Sequence, residues 1–344
     1  MNQLDQVYNK TTQLYEQKTF DERTYGIVKA FVASYTDNSL KGGTSIESII
    51  EILNVFLDRL EYLHNNSFTF ESHHKIILEP FDYFQFGLDF VRPLVNFKTS
   101  EYMGKENLDQ IQKQLEQNHN VILVANHQTE IDPQFISLLL EKEYSKLAKD
   151  MIFVAGDRVI LDQLAIPASM GRNLLCIYSK KHIHNPPDLM ETKRLHNKKT
   201  MGLMSELLKE GGKCIYVAPS GGRDRPNKKG KFPISPLDPQ SIELFYIMAQ
   251  RAKVPFHFNS LALLTHRVLP PPEKVALELG EERITAYAGV YGYFGKEIDM
   301  FNFLNQPIEN KIERRHLRSD FIWNQINEDY QALIKIQDKH EYNT

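Results

Sequence analysis

The sequence predicts an α/β fold, with a mixed, mostly parallel sheet flanked by helices and preceded by a small N-terminal helical bundle domain. From about residue 74 onward, short apolar runs of strand length alternate with segments of helical periodicity. Before that point the apolar periodicity is helical. The chain has 344 residues, which is long enough for a packed core. We divide it into a helical bundle over residues 1–73 and an α/β domain over residues 74–344.

The N-terminal region shows helical patterning in two stretches. Apolar residues recur at helical spacing in "LDQVYNKTTQLYEQ" and in "SIESIIEILNVFLDRLEYL". Thr44 and Glu47 match a capping box at the start of the second stretch, and "SYTDNSLKGGTS" predicts a turn before it. No pattern in this region indicates chemistry, so we interpret it as a structural bundle.

Apolar runs predict the strands of the sheet, and amphipathic segments predict the helices around it. The predicted strands cover residues 121–125, 151–156, 174–179, 214–219, 258–264, 274–280 and 284–293. The predicted helices cover residues 132–148, 198–212 and 238–253, with one or two closing helices over 306–337. Ligands of such sheets bind where the strands end, so residues that follow strands are the candidates for function.

Composition and charge exclude several classes of protein. The chain is 42% hydrophobic and 25% charged, with a net charge of −3, so no global field favours nucleic acid or anionic lipid. Cys176 and Cys214 lie in apolar runs, which predicts buried free thiols and a reducing compartment. No apolar run approaches the roughly 18 residues of a membrane span, and we expect a soluble or peripheral protein with no transmembrane segment.

An ionisable pair follows the first predicted strand in "VILVANHQTEIDP". Asp132 can be explained as a helix N-cap with Pro133 at the first helical position. A carboxylate can also hold one nitrogen of His127, so that the other nitrogen takes a proton from a substrate alcohol. The two interpretations are compatible, with one carboxylate oxygen capping and the other orienting His127. No G-x-S-x-G pattern is present, which favours direct attack by a substrate hydroxyl.

Basic residues follow two other predicted strands. In "APSGGRDRPN", glycines allow close backbone approach, and Arg223 and Arg225 suit a phosphate monoester dianion. In "CIYSKKHIHNPP", Lys181 and His182 leave the sheet together with Lys180 and His184. Surface ion pairs and a solvated charge run are the alternatives. We expect no metal site, because no cysteine or carboxylate stands at ligand spacing from these histidines.

These segments together resemble a known family. "VANHQTEIDP" resembles the H-x-x-x-x-D motif of glycerolipid acyltransferases. "IFVAGDRV", "MGRNLLCIYSKKH", "APSGGRDRPN" and "LALLTHRVLPPP", in this order, resemble the soluble plastid-type glycerol-3-phosphate 1-O-acyltransferases, which also occur in bacteria. The resemblance is strong over about residues 74–295, and "EPFDYFQFGLDFVRPLV" resembles the family's segment before the catalytic block.

The resemblance implies transfer of a fatty acyl chain from a thioester to the sn-1 hydroxyl of glycerol 3-phosphate, in residues 74–344 as the catalytic domain. It implies that His127 is the general base, that Asp132 is its partner, and that the phosphate is bound by a basic set: Lys181, His182, Arg223 and Arg225. The resemblance implies an acyl carrier protein or coenzyme A thioester as the donor, with a lean to the carrier protein, and we expect no other cofactor. The expected location is the cytoplasm, or the plastid stroma if a transit peptide has been removed.

Three alternatives remain at this point. A lysophosphatidate acyltransferase performs the same chemistry on an acceptor that already carries one chain. A phosphatase or hydrolase uses similar histidine and arginine groups without an acyl acceptor. A non-catalytic phosphoinositide- or nucleic-acid-binding module uses only the basic clusters, but the net negative charge disfavours it. The basic stretch "METKRLHNKKT" (190–200) is a solvent face or a docking surface for an acidic partner such as the carrier protein.

Overall fold

The computed structural model describes residues 4–179, 183–272, 280–304 and 308–342. Within these ranges the chain forms one eight-stranded sheet. The strands are β1 (His73–His74), β2 (Glu101–Met103), β3 (Asn120–Ala125), β4 (Ile152–Gly156), β5 (Asn173–Ile177), β6 (Cys214–Val217), β7 (Phe256–Leu264) and β8 (Tyr291–Glu297).

The strand order across the sheet is β1-β5-β4-β6-β3-β7-β8-β2. The central strand β3 pairs in parallel with β6 and β7, and β4 pairs in parallel with β5 and β6. β8 runs antiparallel to β7, and β1 runs antiparallel to β5. The predicted mixed, mostly parallel sheet is therefore confirmed. The segments that follow the parallel strands leave the sheet at one edge, where side chains distant in sequence can meet.

Helices cover both faces of the sheet within the described ranges. They are α1 (Asp5–Glu16), α2 (Glu22–Lys41), α3 (Ile46–Asn65), α4 (Tyr83–Val91), α5 (Lys105–Glu116), α6 (Asp132–Leu140), α7 (Ser145–Asp150), α8 (Arg158–Leu161), α9 (Ile166–Met170), α10 (Met190–Glu210), α11 (Pro239–Ala252) and α12 (Lys311–Tyr342), with short 3-10 turns at Arg92–Leu94 and Pro187–Leu189. None of these helices is long and apolar enough to cross a membrane.

β3 is buried along its whole length and divides its side chains between two cores. Val121 and Leu123 join a core that also contains side chains of α4 and α6. Ile122 and Val124 join a second core, formed with α10, α11 and α12. This alternation has the period of two that a strand requires, and burial on both faces explains why its sequence is an uninterrupted apolar run.

The N-terminal helices α1, α2 and α3 contribute to the first of these cores rather than forming a core of their own. Their side chains pack in one continuous apolar cluster with residues of α4, α6 and the adjacent face of the sheet. The division into a bundle over residues 1–73 and a second domain over 74–344 stays a prediction.

The cysteine prediction agrees with the structure. Cys176 on β5 and Cys214 on β6 are both buried and free. Burial raises the pKa of each thiol to about 12, so both side chains remain protonated and act as small apolar groups.

Two predicted features of the N-terminal region are wrong in detail. Thr44 is not the helix cap, because its backbone N–H bonds the Ser39 carbonyl at 3.0 Å and places it in the preceding turn. Ser45 is the N-cap of α3, and its side chain accepts from the Ser48 amide at 3.2 Å. The turn is also shorter than predicted, because α2 continues to Lys41.

The predicted helix over 132–148 is two helices, α6 and α7. Between them, Glu141 pairs with Arg92 at 2.8 Å, and Glu143 accepts from Tyr102 at 2.7 Å. These tertiary contacts outweigh the helical propensity of the intervening sequence.

The predicted strand over 284–293 is also misplaced, since β8 covers Tyr291–Glu297. Residues 281–288 form instead an extended segment, here called the strap. The amides of Thr285 and Tyr287 bond side chains of α2, Ser34 and Asn38, each at 3.2 Å. The backbone groups of the strap therefore find partners outside the sheet ladder. The predicted strand over 274–280 lies outside the described residues, apart from Gly280.

Candidate active site

His127 lies in the turn between β3 and α6, at the edge where the parallel strands end. Its Nδ1 lies 2.8 Å from Oδ2 of Asp132. The Asp132 side chain is fully buried, whereas 28% of the His127 side chain is exposed. A carboxylate oxygen only accepts, so Nδ1 is the donor in this contact, and in the neutral imidazole the free lone pair is on Nε2. The predicted pair therefore exists with the geometry of a base and its orienting group.

Both oxygens of Asp132 are fully engaged. Oδ2 also accepts from the Gln128 amide at 2.8 Å. Oδ1 accepts from the Thr129 amide at 3.2 Å and from the Thr265 hydroxyl at 2.6 Å. Four donors thus fix the carboxylate, and through it the ring of His127.

The predicted role of Asp132 as N-cap needs correction. Asp132 is the first residue of α6, Ile131 is its N-cap, and Pro133 follows at the second position. The carboxylate binds amides of the turn that precedes the helix, because the turn folds back over the helix start. One part of the expectation holds, since a single side chain both organises backbone amides and orients His127.

Two amides beside His127 connect the turn to the rest of the fold. Asn126 forms a ladder-like pair with Leu263 of β7, donating to its carbonyl at 3.0 Å and accepting from its amide at 2.7 Å. Gln128 accepts from the Thr265 amide at 2.8 Å and lies 3.1 Å from the Tyr330 hydroxyl of α12. Both side chains are fully buried. Sequence reasoning did not single them out, because their partners are more than a hundred residues away.

The glycine turn after β6 lies directly beside the His127 turn. The Asp224 amide donates to the His127 carbonyl at 2.6 Å. The buried Asp224 side chain accepts from Asn126 at 2.9 Å and from the Ser235 amide at 2.8 Å. Burial raises the pKa of this carboxyl despite those donors. Asp224 therefore acts as the anchor of the turn that carries Arg223 and Arg225.

The two predicted arginines lie close together. Arg223 pairs with Glu281 of the strap, and Arg225 donates to the Pro272 carbonyl. Burial, together with the positive charge of Arg223, lowers the pKa of the Arg225 guanidinium. Arg158, at the start of α8, reaches Glu281 at 3.2 Å. The three guanidiniums form a positive region, here called the arginine cluster, beside the His127 turn.

Sequence reasoning missed two members of this region. Arg158 stands in "IFVAGDRV", directly after a predicted strand, and that position alone was a usable signal. Glu281 stands between the two predicted strands over 274–280 and 284–293, and a single carboxylate at that position does not indicate its arginine partners.

Lys181 and His182, the other predicted phosphate-binding residues, lie outside the described residues. The structure places only their neighbours. β5 ends at Ile177 beside β4, which leads into Arg158. The segment after β5 therefore begins at the same edge of the sheet as the arginine cluster.

A second buried ion-pair group holds the strap against the His127 turn. Arg283 pairs with Glu130 of that turn and with Asp162 at 3.0 Å. Burial alone would lower the pKa of the Arg283 guanidinium, but the two carboxylates raise it. A fully paired group of this kind stabilises the local arrangement and supplies no nucleophile or base.

This arrangement suits a reaction in which the hydroxyl group of a phosphate-bearing substrate attacks an electrophile. An oriented imidazole can remove a proton from a hydroxyl. Guanidiniums bind phosphate oxygens in paired hydrogen bonds.

Comparison with known proteins agrees with this chemistry. Residues 101–257 match the family model described as Acyltransferase. The chain is 43% identical over 289 residues to "Glycerol-3-phosphate acyltransferase ATS12, chloroplastic" of Cucurbita moschata, which covers 83% of this chain and 62% of that protein. It is 41% identical over 304 residues to "Glycerol-3-phosphate acyltransferase ATS11, chloroplastic" of the same species, covering 87% and 68%.

A third relative is "Glycerol-3-phosphate acyltransferase, chloroplastic" of Pisum sativum, at 40% identity over 289 residues. That match covers 83% of this chain and 63% of the pea protein. The chain thus spans less than two thirds of the length of two of these three relatives.

Proposed function

The chain belongs to the family of glycerol-3-phosphate acyltransferases, and from that membership we propose that it transfers a fatty acyl chain from an acyl thioester to the sn-1 hydroxyl of glycerol 3-phosphate. The product is 1-acyl-glycerol 3-phosphate, made in the first step of glycerophospholipid synthesis. The observation that carries the proposal is the His127–Asp132 pair held beside the arginine cluster by the bond from the Asp224 amide to the His127 carbonyl.

The acceptor phosphate would bind Arg223 and Arg225, with Lys181 and His182 as further proposed ligands. Anchoring the phosphate restricts the glycerol to one region and lowers the entropic barrier to reaction. The His127 turn is directly bonded to the arginine turn, so the free hydroxyl at the far end of a three-carbon acceptor would face Nε2.

In the proposed reaction, His127 removes the hydroxyl proton while the oxygen attacks the thioester carbonyl. Collapse of the tetrahedral intermediate forms the ester and breaks the carbon–sulfur bond, and the proton passes from His127 to the departing thiolate. The Asp132 carboxylate would stabilise the imidazolium between these two steps. The exchange is balanced between two substrates, so we propose that no redox or metal cofactor takes part.

The developing oxyanion requires hydrogen-bond donors. The amides of Gly222 and Arg223 are proposed for this role. Within the described part of the chain neither amide has an acceptor at hydrogen-bond distance, and both lie on the turn beside His127.

A competition between acceptors tests the proposal against the nearest alternative. Glycerol 3-phosphate and 1-acyl-glycerol 3-phosphate are offered at equal concentration with one thioester donor. We expect the monoacylated product to accumulate first. Immediate and exclusive formation of the diacylated product would identify a lysophosphatidate acyltransferase, and release of free fatty acid alone would identify a hydrolase.

Replacing Arg225 with alanine is expected to raise the KM for glycerol 3-phosphate roughly ten- to a hundredfold, with a small change in kcat. The lost contact binds a phosphate remote from the reacting atoms, and charge-assisted hydrogen bonds have net values of about 1.5–3 kcal/mol. Steady-state kinetics measure the effect, and Arg251→Ala on the exposed face of α11 is the matched control. An unchanged KM would remove Arg225 from the proposed site.

The donor is proposed to be an acyl carrier protein thioester, with coenzyme A as the alternative. The supporting feature is the first half of α10, which exposes Arg194, Lys198 and Lys199 around Leu195, itself 58% exposed. Lys193 on the same helix is buried, and its ammonium group lies over the Tyr178 ring. A basic surface with an apolar centre suits an acidic protein partner.

Charge reversal at Lys198 and Lys199 is expected to raise the KM for the carrier-linked donor about tenfold or more, with little change for the coenzyme A donor. The reason is that only the carrier presents an acidic protein surface to α10. Lys146→Glu with Lys149→Glu, on the exposed face of α7, is the control for net charge. An equal loss with both donors would contradict docking on α10.

The place of action is proposed to be a reducing compartment, the plastid stroma or the cytoplasm, with at most peripheral contact to membrane lipid. The two buried free thiols and the chloroplastic names of the relatives support this proposal. We propose no nucleic-acid partner.

A further inference from the structure

A buried carboxylate lies within the arginine cluster. Glu281 is 6% exposed. Its Oε1 accepts from Arg158 at 3.2 Å, and its Oε2 accepts from Arg223. The three residues come from three separate segments: α8 after β4, the glycine turn after β6, and the strap. Each oxygen of the carboxylate thus pairs with a different guanidinium, so the chain's own anion already neutralises part of the cluster.

Glu281 is held by an extended segment that has other anchors. Within the strap, residues 281, 283 and 285 are buried, whereas 282 and 284 are exposed. Arg283 fixes the strap to Glu130 and Asp162. Thr285 fixes it to Ser34. The Glu281 side chain can therefore leave its arginines without releasing the strap.

We propose that Glu281 is an internal competitor for the acceptor phosphate and determines which anions the arginine cluster accepts. This inference rests on the proposed function, in which Arg223 and Arg225 bind that phosphate. A phosphate monoester approaching Arg223 has to displace the carboxylate or share the guanidinium with it. The carboxylate therefore lowers the affinity for every anion, by an amount that depends on the charge of the anion.

The charge of the incoming anion decides which ligands can displace Glu281 from the arginine cluster. A phosphate monoester carries about −1.5 to −2 charges at neutral pH, whereas a carboxylate carries one. When another monoanion displaces the Glu281 carboxylate from the arginines, there is no electrostatic gain. When a dianion displaces it, the attraction to the guanidiniums increases. Glu281 thus excludes small monoanions that resemble the acceptor, such as glycerate, and leaves the site open to glycerol 3-phosphate.

The variant that tests this inference is Glu281→Gln, which keeps the side-chain shape and removes the charge. We expect the Kd for inorganic phosphate, measured by calorimetry, to fall roughly tenfold, and the KM for glycerol 3-phosphate to fall in parallel. The preference for inorganic phosphate over glycerate is expected to shrink, because a monoanion no longer has to displace a charge. Glu282→Gln is the matched control, since it removes the same charge from the adjacent, exposed position.

An unchanged or higher Kd for inorganic phosphate in Glu281→Gln would overturn the inference, and would show that Glu281 only positions the arginines. If Glu281→Gln does not fold, Glu281→Asp replaces it, with the expectation of a smaller decrease in Kd. In that variant, an unchanged Kd or a loss of binding contradicts the proposal. Failure of the unaltered protein to bind inorganic phosphate in competition with glycerol 3-phosphate would instead refute the proposed phosphate site.

Discussion

Replacing His127 with alanine is expected to lower kcat by roughly 10²- to 10⁴-fold, the usual contribution of a general base. The affinity for glycerol 3-phosphate should persist, because the arginine cluster is untouched. Both quantities are accessible, kcat from thiol release and the acceptor Kd from calorimetry. The expectation follows from the 2.8 Å contact between Nδ1 and Asp132, which directs the lone pair of Nε2 away from the carboxylate.

His64→Ala is the control for this variant, because His64 is an exposed histidine of α3. It should leave both quantities unchanged. If His127→Ala retained more than a tenth of the parental kcat, another group would have to be the base. If it lost acceptor binding as well, His127 would have a role in binding the acceptor that the geometry does not explain.

The second large effect is expected from Asp132→Asn. Each oxygen of Asp132 accepts from a backbone amide, Oδ2 from Gln128 and Oδ1 from Thr129. The asparagine amide carries hydrogens on one side, so in either orientation one of these buried backbone N–H groups loses its acceptor. That loss costs about 1–3 kcal/mol in the free energy of unfolding, which urea denaturation measures.

The same substitution is expected to lower kcat about as much as His127→Ala. Either orientation removes the negative charge that stabilises the imidazolium, and when the asparagine NH₂ faces His127, Nδ1 becomes the acceptor and the proton moves to Nε2, which removes the base. The double variant should then be little slower than either single variant, because the two residues act as one unit. If the fold-decrease in kcat of the double variant equalled the product of the two single-variant decreases, this coupling would be contradicted.

The His127–Asp132 pair could be predicted from the sequence because it is local. The two residues are five positions apart, an apolar run marks the strand before His127, and Pro133 marks the start of the helix that begins at Asp132. Any fold that buries the strand and forms the helix brings the two side chains close together. For the same reason Arg223 and Arg225 were identifiable, since they follow a strand and two glycines.

Glu281 and Arg158 show what the sequence could not provide. They are 123 positions apart, and only the position of the strap over the edge of the sheet brings them together. The strap has a strand-like pattern because alternate side chains are buried. Two of its amides bond side chains of α2, and the amides of Ala286 and Ala288 bond the carbonyls of Val268 and Leu94, so its partners are not those of a regular strand. The periodicity of apolar residues indicates which side chains are buried. It does not identify the groups that form hydrogen bonds with the backbone. The partners of Asn126 and Gln128 are likewise set by β7 and α12.

The helix ends show a similar limit. The sequence from 132 to 148 has helical periodicity, but the pairs of Glu141 with Arg92 and of Glu143 with Tyr102 interrupt it. These partners lie on segments that precede β3, so no local pattern marks the break. The capping error at Thr44 is of another kind, because Thr44 and Ser45 are both good caps and the length of α2 decides between them.

We propose that His127 and the arginine cluster together promote acyl transfer from a thioester to glycerol 3-phosphate. Mass-spectrometric analysis of the products tests it most directly, after incubation of the purified protein with acyl carrier protein thioester and glycerol 3-phosphate. The predicted result is one ester, with the chain at the sn-1 position, formed in equal amount to the free thiol. Release of thiol with free fatty acid and no ester, or no reaction with glycerol 3-phosphate from any thioester donor, would contradict it.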